Sequence, residues 1–434
     1  MTTTELIPSP SRYFIWTIGC QMNVADSERL ESALLQLGLQ STERPQNADV
    51  IVLNSCVVRQ SAEDKVVGML TSLKPLKGSR PDRVVALMGC MVGPKSDALR
   101  QRFPYVDVFM RPQQYKPLLE LLGDRMGIDA EGCLSTLVPP RASVTAFIPI
   151  IHGCDKFCTF CIIPYRRGRE KSRPIPDIVR EAELLAVRGV KEVTLLGQNV
   201  DSYGNDLPGN GDLADLLTAV SEVDGLRRVR FLTSHPNDMD QRIIDAVASL
   251  DRVCEHVNLP FQAGDDGVLT AMRRGYTTDE YRRLVDRIRA TVPRVSMATD
   301  LIVGFPGESE AAFQRSVDML EEVRFDKVHA AAYSDRPGTI AARRMEDSVP
   351  AEEKRRRMKV IESVQERIAT GINAGLLNTT QEVLVERREK GKWRGRNRND
   401  KLVFFEDARD LQGETVNVRI ERTSPWSLQG DVVD

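Results

Sequence analysis

Three cysteines lie close together in the stretch HGCDKFCTFC, residues 152–161. Cys154, Cys158 and Cys161 follow the spacing CxxxCxxC directly after a predicted strand. Cysteine thiolates are the ligands of iron-sulfur clusters, and a loop of this length can wrap around one cubane. Because the loop offers three thiolates, a four-iron cluster bound there would keep one iron open. The spacing therefore predicts a cluster that binds a substrate or cofactor, rather than one that only carries electrons.

Zinc is the alternative metal for this loop, because His152 could complete a tetrahedral Cys3His site. Zinc ligands usually come in two pairs that a hairpin brings together. The sequence shows no second pair near residues 152–161. The spacing therefore favours iron and sulfide over zinc.

Three more cysteines, Cys20, Cys56 and Cys90, each follow a predicted strand. One strand-helix-strand unit takes about 30 residues or more, which matches their separation along the chain. In parallel sheets, ligands bind at the carboxyl ends of the strands. A single strand-terminal cysteine is often only a small buried hydrophobe. Three in phase, each followed by polar residues, favour a shared metal centre.

The elements that must position these cysteines form an α/β protein in three parts. From Tyr13 to Leu122, short apolar runs alternate with amphipathic stretches, which predicts an open parallel α/β sheet. Residues 143–340 repeat this alternation at least six times without a GxGxxG sequence. A partial (β/α)6-type barrel is favoured there, and a doubly wound sheet stays open. In a barrel, the chemistry lies at the carboxyl ends of the strands. The polar residues expected there are Gln198, Asn199, Ser234, His235, Gln262, Asp300 and Tyr333.

A long charged helix follows the predicted barrel, and short strands and turns from about Thr380 predict a small C-terminal β-barrel. The predicted domain limits are 12–125, 140–372 and 375–434. A linker with two prolines, CLSTLVPPRAS, separates the first two domains.

The composition is that of a soluble globular protein, with 41% hydrophobic and 28% charged residues among 434. The net charge of -2 excludes a globally basic nucleic-acid coat protein. We expect no leader sequence, because residues 1–14 show no basic region followed by an apolar one, and no membrane span, because no apolar run approaches ~18 residues. We therefore expect a cytoplasmic monomer without a membrane partner, in a compartment where thiols stay available as ligands.

The spacing CxxxCxxC with Phe160 before the last cysteine resembles the radical S-adenosylmethionine enzymes. A preceding three-cysteine α/β domain and a C-terminal barrel that looks like a TRAM domain are similar to the methylthiotransferase family within that class. The similarity includes the motifs GCQMNVADSE, GCDKFCTFCIIPYRRGRE, LLGQNVDSYG, TSHP, DLIVGFPGE and YSDRPGT. The resemblance extends from about Tyr13 to the C-terminus. It implies two [4Fe-4S] clusters and S-adenosylmethionine as cofactor. One cluster would be held by Cys154, Cys158 and Cys161, and the auxiliary one by Cys20, Cys56 and Cys90.

The resemblance also implies a reaction. S-adenosylmethionine would be both the methyl donor and the source of the radical, and a reducing electron donor would be needed. The product would carry a methylthio group on C2 of a prenylated adenosine in the anticodon stem-loop of tRNA. The alternatives are methylthiolation of an aspartate in a ribosomal protein, and a non-catalytic RNA-binding iron-sulfur protein or zinc-stabilised module. Exclusion of water favours radical chemistry, so we expect both flanking domains to cap the mouth of the barrel.

Cofactor contacts are expected from Phe160 against the adenine and from Gln198 and Asp300 at strand ends. Each has a structural alternative, since an aromatic residue can shield a cluster and a polar residue can cap a helix. Phe261, Asp265 and Arg166 depart from the residues usual in the family at their positions and concern the shape of the pocket. Two further cysteines, Cys133 and Cys254, match no ligand of the family and are expected to be structural.

Residues 387–401 are predominantly basic and contain Trp393. Basic side chains attract phosphates, and an aromatic ring can stack on an exposed base. A charged segment can also be only a solvated surface. The family resemblance favours tRNA binding by this segment, with Arg394, Arg396 and Arg398 among the contacts.

Overall fold

The computed structural model describes residues 11–58, 60–128, 143–209 and 211–433. Internal contacts divide the chain into two compact units. Unit 1 contains the described residues up to 141 together with 153–155 and 161–169, and unit 2 contains the others. The predicted domain limits stay a prediction, and Cys133 lies outside the described residues. No helix in the described ranges is both long and apolar enough to cross a membrane.

Unit 1 is built on a five-stranded parallel sheet with the order β2-β1-β3-β4-β5. Its strands are β1 Arg12–Thr17, β2 Gln40–Ser41, β3 Val50–Ser55, β4 Val84–Gly89 and β5 Val108–Met110. Its helices are α1 Gln21–Gln36, α2 Gln60–Ser79, α3 Asp97–Arg102, α4 Lys116–Met126 and α5 Ile163–Arg167. Every residue of β3 and β4 is buried, as expected for parallel strands with both faces covered. The predicted open parallel α/β sheet is confirmed.

The core of unit 2 has six parallel strands. They form two groups, β10-β9-β6 and β11-β12-β13, and a parallel bridge between Val229 and Val253 connects them. The strands are β6 Thr145–Pro149, β9 Glu192–Leu196, β10 Arg228–Phe231, β11 His256–Asn258, β12 Ser296–Val303 and β13 Lys327–Ala332, with a short antiparallel pair, β7 Ile151–His152 and β8 Lys171–Ser172. This arrangement confirms the partial barrel.

Helices alternate with the core strands, and their starts are encoded locally. Thr277 and Glu280 form a reciprocal capping box at the first turn of one helix, and Ser309 caps another. The helices of unit 2 are α6 Ile175–Val187, α7 Leu213–Ser221, α8 Gln241–Ser249, α9 Asp266–Met272, α10 Thr278–Thr291, α11 Glu310–Val323, α12 Ile340–Arg344 and α13 Ala351–Ala374. Caps of this kind fix where each chain segment leaves the carboxyl end of a strand and turns back.

The C-terminal strands close into a barrel with the order β14-β15-β16-β18-β17. They are β14 Thr380–Glu389, β15 Lys392–Asn397, β16 Leu402–Phe405, β17 Thr415–Thr423 and β18 Leu428–Val433. Trp393 is 4% exposed and packs in the apolar core of this barrel with Val403 and Phe405. Gly395 and Gly430 sit where a Cβ would collide with the backbone of a neighbouring strand. The predicted small β-barrel is confirmed.

The turn between β15 and β16 lies against the amino ends of the core strands. Arg228, the first residue of β10, donates to the backbone oxygen of Arg396 at 2.7 Å. Arg398 makes a two-pronged ion pair with Glu255, directly before β11. Ser296, which begins β12, donates to a backbone oxygen of the same turn at 2.8 Å. The expectation that this barrel caps the mouth is therefore wrong, because buried arginines and their partners hold it at the opposite end of the strands.

Candidate iron-sulfur sites

The auxiliary cysteines lie at one edge of the sheet in unit 1. Cys20 lies between β1 and α1 at the N-cap of the helix, Cys56 follows β3, and Cys90 follows β4. These three strands are neighbours in the sheet. Burial, with smaller contributions from the Cys20 and Cys56 thiols, raises the pKa of the Cys90 thiol to about 11. At Gly19 a Cβ would lie 2.9 Å from the Cys56 Cβ, so the backbone needs glycine there. The structure thus brings the three predicted auxiliary ligands to one edge.

Arg167 lies beside these thiols, and sequence reasoning did not single it out. Its side chain and that of Asp26 are both fully buried, and Nη2 donates to the Asp26 carboxylate at 3.0 Å. Burial lowers the pKa of the guanidinium, but Asp26, Cys90 and Cys20 outweigh it, so the net direction is upward. The nearby Asn23 side chain connects α1 to the end of β3, because its amide donates to the Ser55 backbone oxygen at 2.8 Å. The sequence signal was available in the spacing Cys-Gln-Met-Asn-Val-Ala-Asp, which places Asn23 and Asp26 three residues apart on one face of α1.

The polar atoms of Arg167 allow a test of the predicted cluster. Nε and Nη1 are buried without an oxygen acceptor among the described residues, and the Cys90 thiol lies beside the guanidinium. Buried polar groups in proteins are nearly always paired, so a guanidinium that faces cysteine sulfur suits an anionic acceptor bound there. An iron-sulfur cluster held by thiolates is anionic and carries sulfide acceptors. The donor set and its surroundings fit such a cluster.

A site for a single metal ion has a different geometry from a site for a cluster. Among the described residues, no group of three or more His, Cys, Asp or Glu side chains is placed to hold a single metal ion. The thiolates of a four-iron cluster bind different iron atoms, so they stand farther apart than the ligands of one ion.

The CxxxCxxC loop contributes residues to both units. In unit 1, Cys154 and Cys161 are half-buried against an apolar cluster that includes Ile162 and Ile163, and the Cys154 N–H donates to the Gly168 oxygen at 3.2 Å. In unit 2, Cys158 is buried, and its Sγ accepts a hydrogen bond from Arg274 at 3.3 Å.

The middle of the loop is anchored to the end of α9. Thr159 donates its N–H to the Met272 oxygen at 3.0 Å and its hydroxyl to the Ala271 oxygen at 2.8 Å. Phe160 contacts Phe305 edge-on, with ring centroids 6.5 Å apart. The structure therefore places Phe160 against the residues that follow β12, in the region where a barrel binds ligands.

The other two predicted cofactor contacts differ in position. Gln198 is half-buried just after β9, as expected. Asp300 is the fifth residue of the eight in β12 and not its end, because the strand continues to Val303. The prediction of Asp300 at a strand end is therefore wrong, and its contact with the cofactor stays a prediction.

A buried polar cluster was only partly expected at the ends of β9 and β10. Asp201 accepts hydrogen bonds from the Ser234 hydroxyl at 2.9 Å and the His235 N–H at 3.0 Å. Burial nevertheless raises the pKa of Asp201 to about 8. Burial, together with Arg274 and Lys156, lowers the pKa of His235 to about 2, so the imidazole is neutral. Ser234 and His235 were visible in the sequence TSHP and Asp201 in LLGQNVDSYG, but the sequence did not show that these two motifs meet.

The unusual pocket residues have structural explanations. Phe261 is 1% exposed and stacks on Phe325 with ring centroids 5.7 Å apart. Asp265 caps α9 and pairs with Arg315. Arg166, in unit 1, lies directly over Gly93, where any side chain would collide with its guanidinium.

In the basic segment 387–401, the three arginines expected to contact tRNA have protein partners, and their contact with tRNA stays a prediction. Arg394 pairs with Glu389 at 2.8 Å, Arg396 pairs with Asp400 at 3.2 Å, and Arg398 is held by the core of unit 2. Trp393 lies in the barrel core, and its indole N–H donates to a backbone oxygen. The prediction that the Trp393 ring stacks on an exposed base is therefore wrong.

Among the described residues, the large aromatic side chain that is most exposed belongs to another residue. Trp426, between β17 and β18, is 59% exposed. Arg387 is also open, with 59% of its side chain exposed. Residues such as these are candidates for a surface that binds RNA.

Comparisons with known proteins follow the same three parts. The family model described as "Uncharacterized protein family UPF0004" matches residues 12–111, the radical SAM superfamily matches residues 148–320, and the TRAM domain matches residues 376–433. In fold, the chain is similar to a radical S-adenosylmethionine methyltransferase, TsrM, from Kitasatospora setae, with a TM-score of 0.56 at 15% identity over 76% of this chain and 74% of that one. The partial barrel and its cysteine loop define the class of radical S-adenosylmethionine enzymes.

Curated relatives narrow the class. A protein of Herpetosiphon aurantiacus is 49% identical over 98% of both chains. A protein of a Roseiflexus species is 51% identical over 98% of this chain and 90% of its own length. A protein of Dictyoglomus thermophilum is 43% identical over 97% of this chain and 98% of its own length. All three are named tRNA-2-methylthio-N(6)-dimethylallyladenosine synthase. The chain belongs to the family of these synthases.

Proposed function

We propose that the protein methylthiolates C2 of N6-(dimethylallyl)adenosine next to the anticodon in tRNA, with S-adenosylmethionine as methyl donor and radical source. The observation that carries the proposal is a full-length identity of about half to enzymes of that name, together with three thiols at one sheet edge beside the buried Arg167 guanidinium. The names of these relatives favour an RNA substrate over the aspartate of a ribosomal protein. We further propose that the protein is a cytoplasmic monomer and takes electrons from a separate reducing donor. Its proposed domain limits are 12–125, 140–372 and 375–434.

Two sets of cysteines would hold the clusters. Cys154, Cys158 and Cys161 would hold the radical cluster, and the thiols after β1, β3 and β4 would hold the auxiliary one. When bound, S-adenosylmethionine and a reduced cluster supply a carbon radical able to remove hydrogen from an unactivated C–H bond, which no general base could do.

The protein's own part is binding, orientation and protection. Phe160, with its ring against Phe305, would offer an apolar face to the adenine of the cofactor, and Gln198 a polar contact just after β9. His235 stays neutral, and its Nδ1 accepts the N–H of Asn237 at 3.3 Å, so the ring proton lies on Nε2. A neutral donor at a strand end can orient a ligand without adding charge.

The test is a reaction under anaerobic conditions. The protein is reconstituted with iron and sulfide and given S-adenosylmethionine, a reductant and tRNA that is prenylated but not thiolated. Digested nucleosides are then analysed by mass spectrometry. A methylthio group on the prenylated adenosine is expected. Cleavage of the cofactor to 5'-deoxyadenosine without that adduct would overturn the substrate.

Cysteine variants separate the two sites. Cys56→Ala should abolish methylthiolation but keep cleavage of S-adenosylmethionine, whereas Cys158→Ala should abolish both. Cys254→Ala is the matched control, because Cys254 is equally buried and no ligand role is assigned to it. Loss of cleavage in Cys56→Ala would contradict the division of roles.

A further inference from the structure

Arg274 is a buried cation in unit 2 that the family assignment does not explain. It follows α9, and 5% of the residue is exposed. Its guanidinium donates to three acceptors, namely Cys158 Sγ at 3.3 Å, the Pro260 oxygen at 3.1 Å and the Tyr276 hydroxyl at 3.2 Å. Tyr276 in turn donates to the Phe261 oxygen at 2.8 Å. The side chain is therefore fixed in position by backbone and ring contacts.

The environment of Arg274 lacks the usual counter-ion. Among the described residues, no carboxylate forms an ion pair with it, unlike Arg167 with Asp26. A buried charge is costly unless an opposite charge compensates it. The hydrogen-bonded atom that can carry negative charge here is Cys158 Sγ, which is a thiolate when it binds a metal.

A cation at this position has a defined electrical effect on a bound cluster. Reduction adds one electron, so the reduced cluster is more negative and gains more from a nearby positive charge. Hydrogen bonds to cluster sulfurs and local charge are known levers on the reduction potential. Arginine suits the position because its planar fork reaches sulfur, carbonyl and hydroxyl at once, which a lysine ammonium cannot do in the same geometry.

We propose that Arg274 is a positioning residue of the radical site, which holds the Cys158 sulfur by a charge-assisted hydrogen bond and raises the reduction potential of the cluster bound there. This rests on the proposed role of Cys158 as a cluster ligand. The consequence is that the enzyme can be reduced by a weaker donor than the same loop would require without the guanidinium.

The experiment measures the potential directly. In a background with Cys20, Cys56 and Cys90 replaced by Ala, only the radical cluster remains. Potentiometric titration followed by electron paramagnetic resonance then compares this protein with Arg274→Met, Arg274→Gln and Arg274→Lys. Both neutral variants should show at least a tenfold lower ratio of reduced to oxidised cluster at a fixed potential, which is about 59 mV for one electron. The Lys variant keeps the charge but loses the fork, so its shift should be smaller.

Arg273→Met is the matched control, because the neighbouring Arg273 is exposed. Its potential should equal that of the unchanged protein. Potentials in Arg274→Met and Arg274→Gln that equal the control would overturn the proposal. If neither neutral variant assembles a cluster, the Lys variant decides, and an unshifted potential there overturns the proposal. Failure of the parent background to bind iron would instead contradict the role of Cys158, and hence the proposed function.

Discussion

Replacing Asp26 by Asn would remove the counter-ion of Arg167 while keeping the shape of the site. Both side chains are fully buried, so neither can turn to water when the partner loses its charge. Breaking a buried ion pair from one side costs about 3–5 kcal/mol. In the unchanged protein, Arg167 Nη2 lies 3.0 Å from Asp26 Oδ2. Because the amide of Asp26→Asn keeps an oxygen that can accept this hydrogen bond, the loss of stability should be near the lower end of that range. Asp26→Ala, which removes this hydrogen bond as well, should approach the upper one.

The assay is amide hydrogen exchange of the apoprotein, read by mass spectrometry on peptides of β3 and β4. A chain of two units does not unfold in one step, so local opening is the better measure. Loss of about 3 kcal/mol corresponds to exchange roughly 150-fold faster in these strands. Peptides of β12, in unit 2, are the internal reference and should not change.

Two further variants sharpen this test. Glu120→Gln removes an ion pair on the surface, where both partners are more than half exposed, and should cost less than about 1 kcal/mol. The double variant Asp26→Leu, Arg167→Met replaces the pair by apolar groups and should recover most of the loss. Binding of the cluster should reduce the cost of Asp26→Asn, because an anion then faces Arg167. Unchanged exchange in Asp26→Asn, or a double variant as unstable as the single one, would refute this account.

The remaining predictions concern unit 2. The pKa of Asp201 is raised to about 8, so the native state keeps a proton that the unfolded chain releases near pH 4. Stability from this group is therefore full below about pH 4 and is lost as the pH rises towards 8. Asp201→Asn should flatten the pH dependence of hydrogen-exchange protection in β9 and β10, after correction for the intrinsic pH dependence of exchange, and an unchanged profile would contradict the raised pKa. Trp426→Ala should weaken tRNA binding by about 5- to 150-fold, from the ~1–3 kcal/mol of base stacking, with an unchanged salt dependence. Leu377→Ala, another exposed apolar residue, is its control, and equal effects of the two would exclude stacking. Arg398→Gln should loosen the β15–β16 turn in hydrogen exchange, whereas loss of tRNA affinity with no change in exchange would restore its predicted role.

The convergence of Cys20, Cys56 and Cys90 at one sheet edge could be predicted because parallel strands impose a period, whereas their binding of a cluster stays a prediction. Each strand-helix unit returns the chain to the same edge, so Cys20, Cys56 and Cys90 had to arrive together once the sheet was recognised. Alternation in β15 could also have shown that Trp393 points inward with Gly395, since side chains of a strand face opposite sides in turn. Residues 387–401 are predominantly basic, so the interpretation of this segment followed its charge and not its alternation.

Other features could not be predicted from the sequence because they depend on distant partners. Arg228 reads as an ordinary charged residue, and only the fold shows that it is 1% exposed and bonded to a turn far along the chain. The same holds for Arg274, whose sulfur partner is more than a hundred positions away. Local pattern identifies the side chains that meet at a sheet edge, but not the charges that are buried next to them.

If the proposed tRNA contacts both the C-terminal barrel and the carboxyl ends of the core strands, the length of the core in unit 2 sets how far that RNA must extend. Its contacts are with the amino ends of the core strands, while Phe160 and His235 lie at the carboxyl ends. The eight residues of β12 measure about 26 Å at ~3.3 Å each. An RNA that touches both ends must extend along the outside of the core over that distance. A free nucleoside, or a loop without its stem, would reach only one of the two, so the enzyme would select for the stem as well as the base.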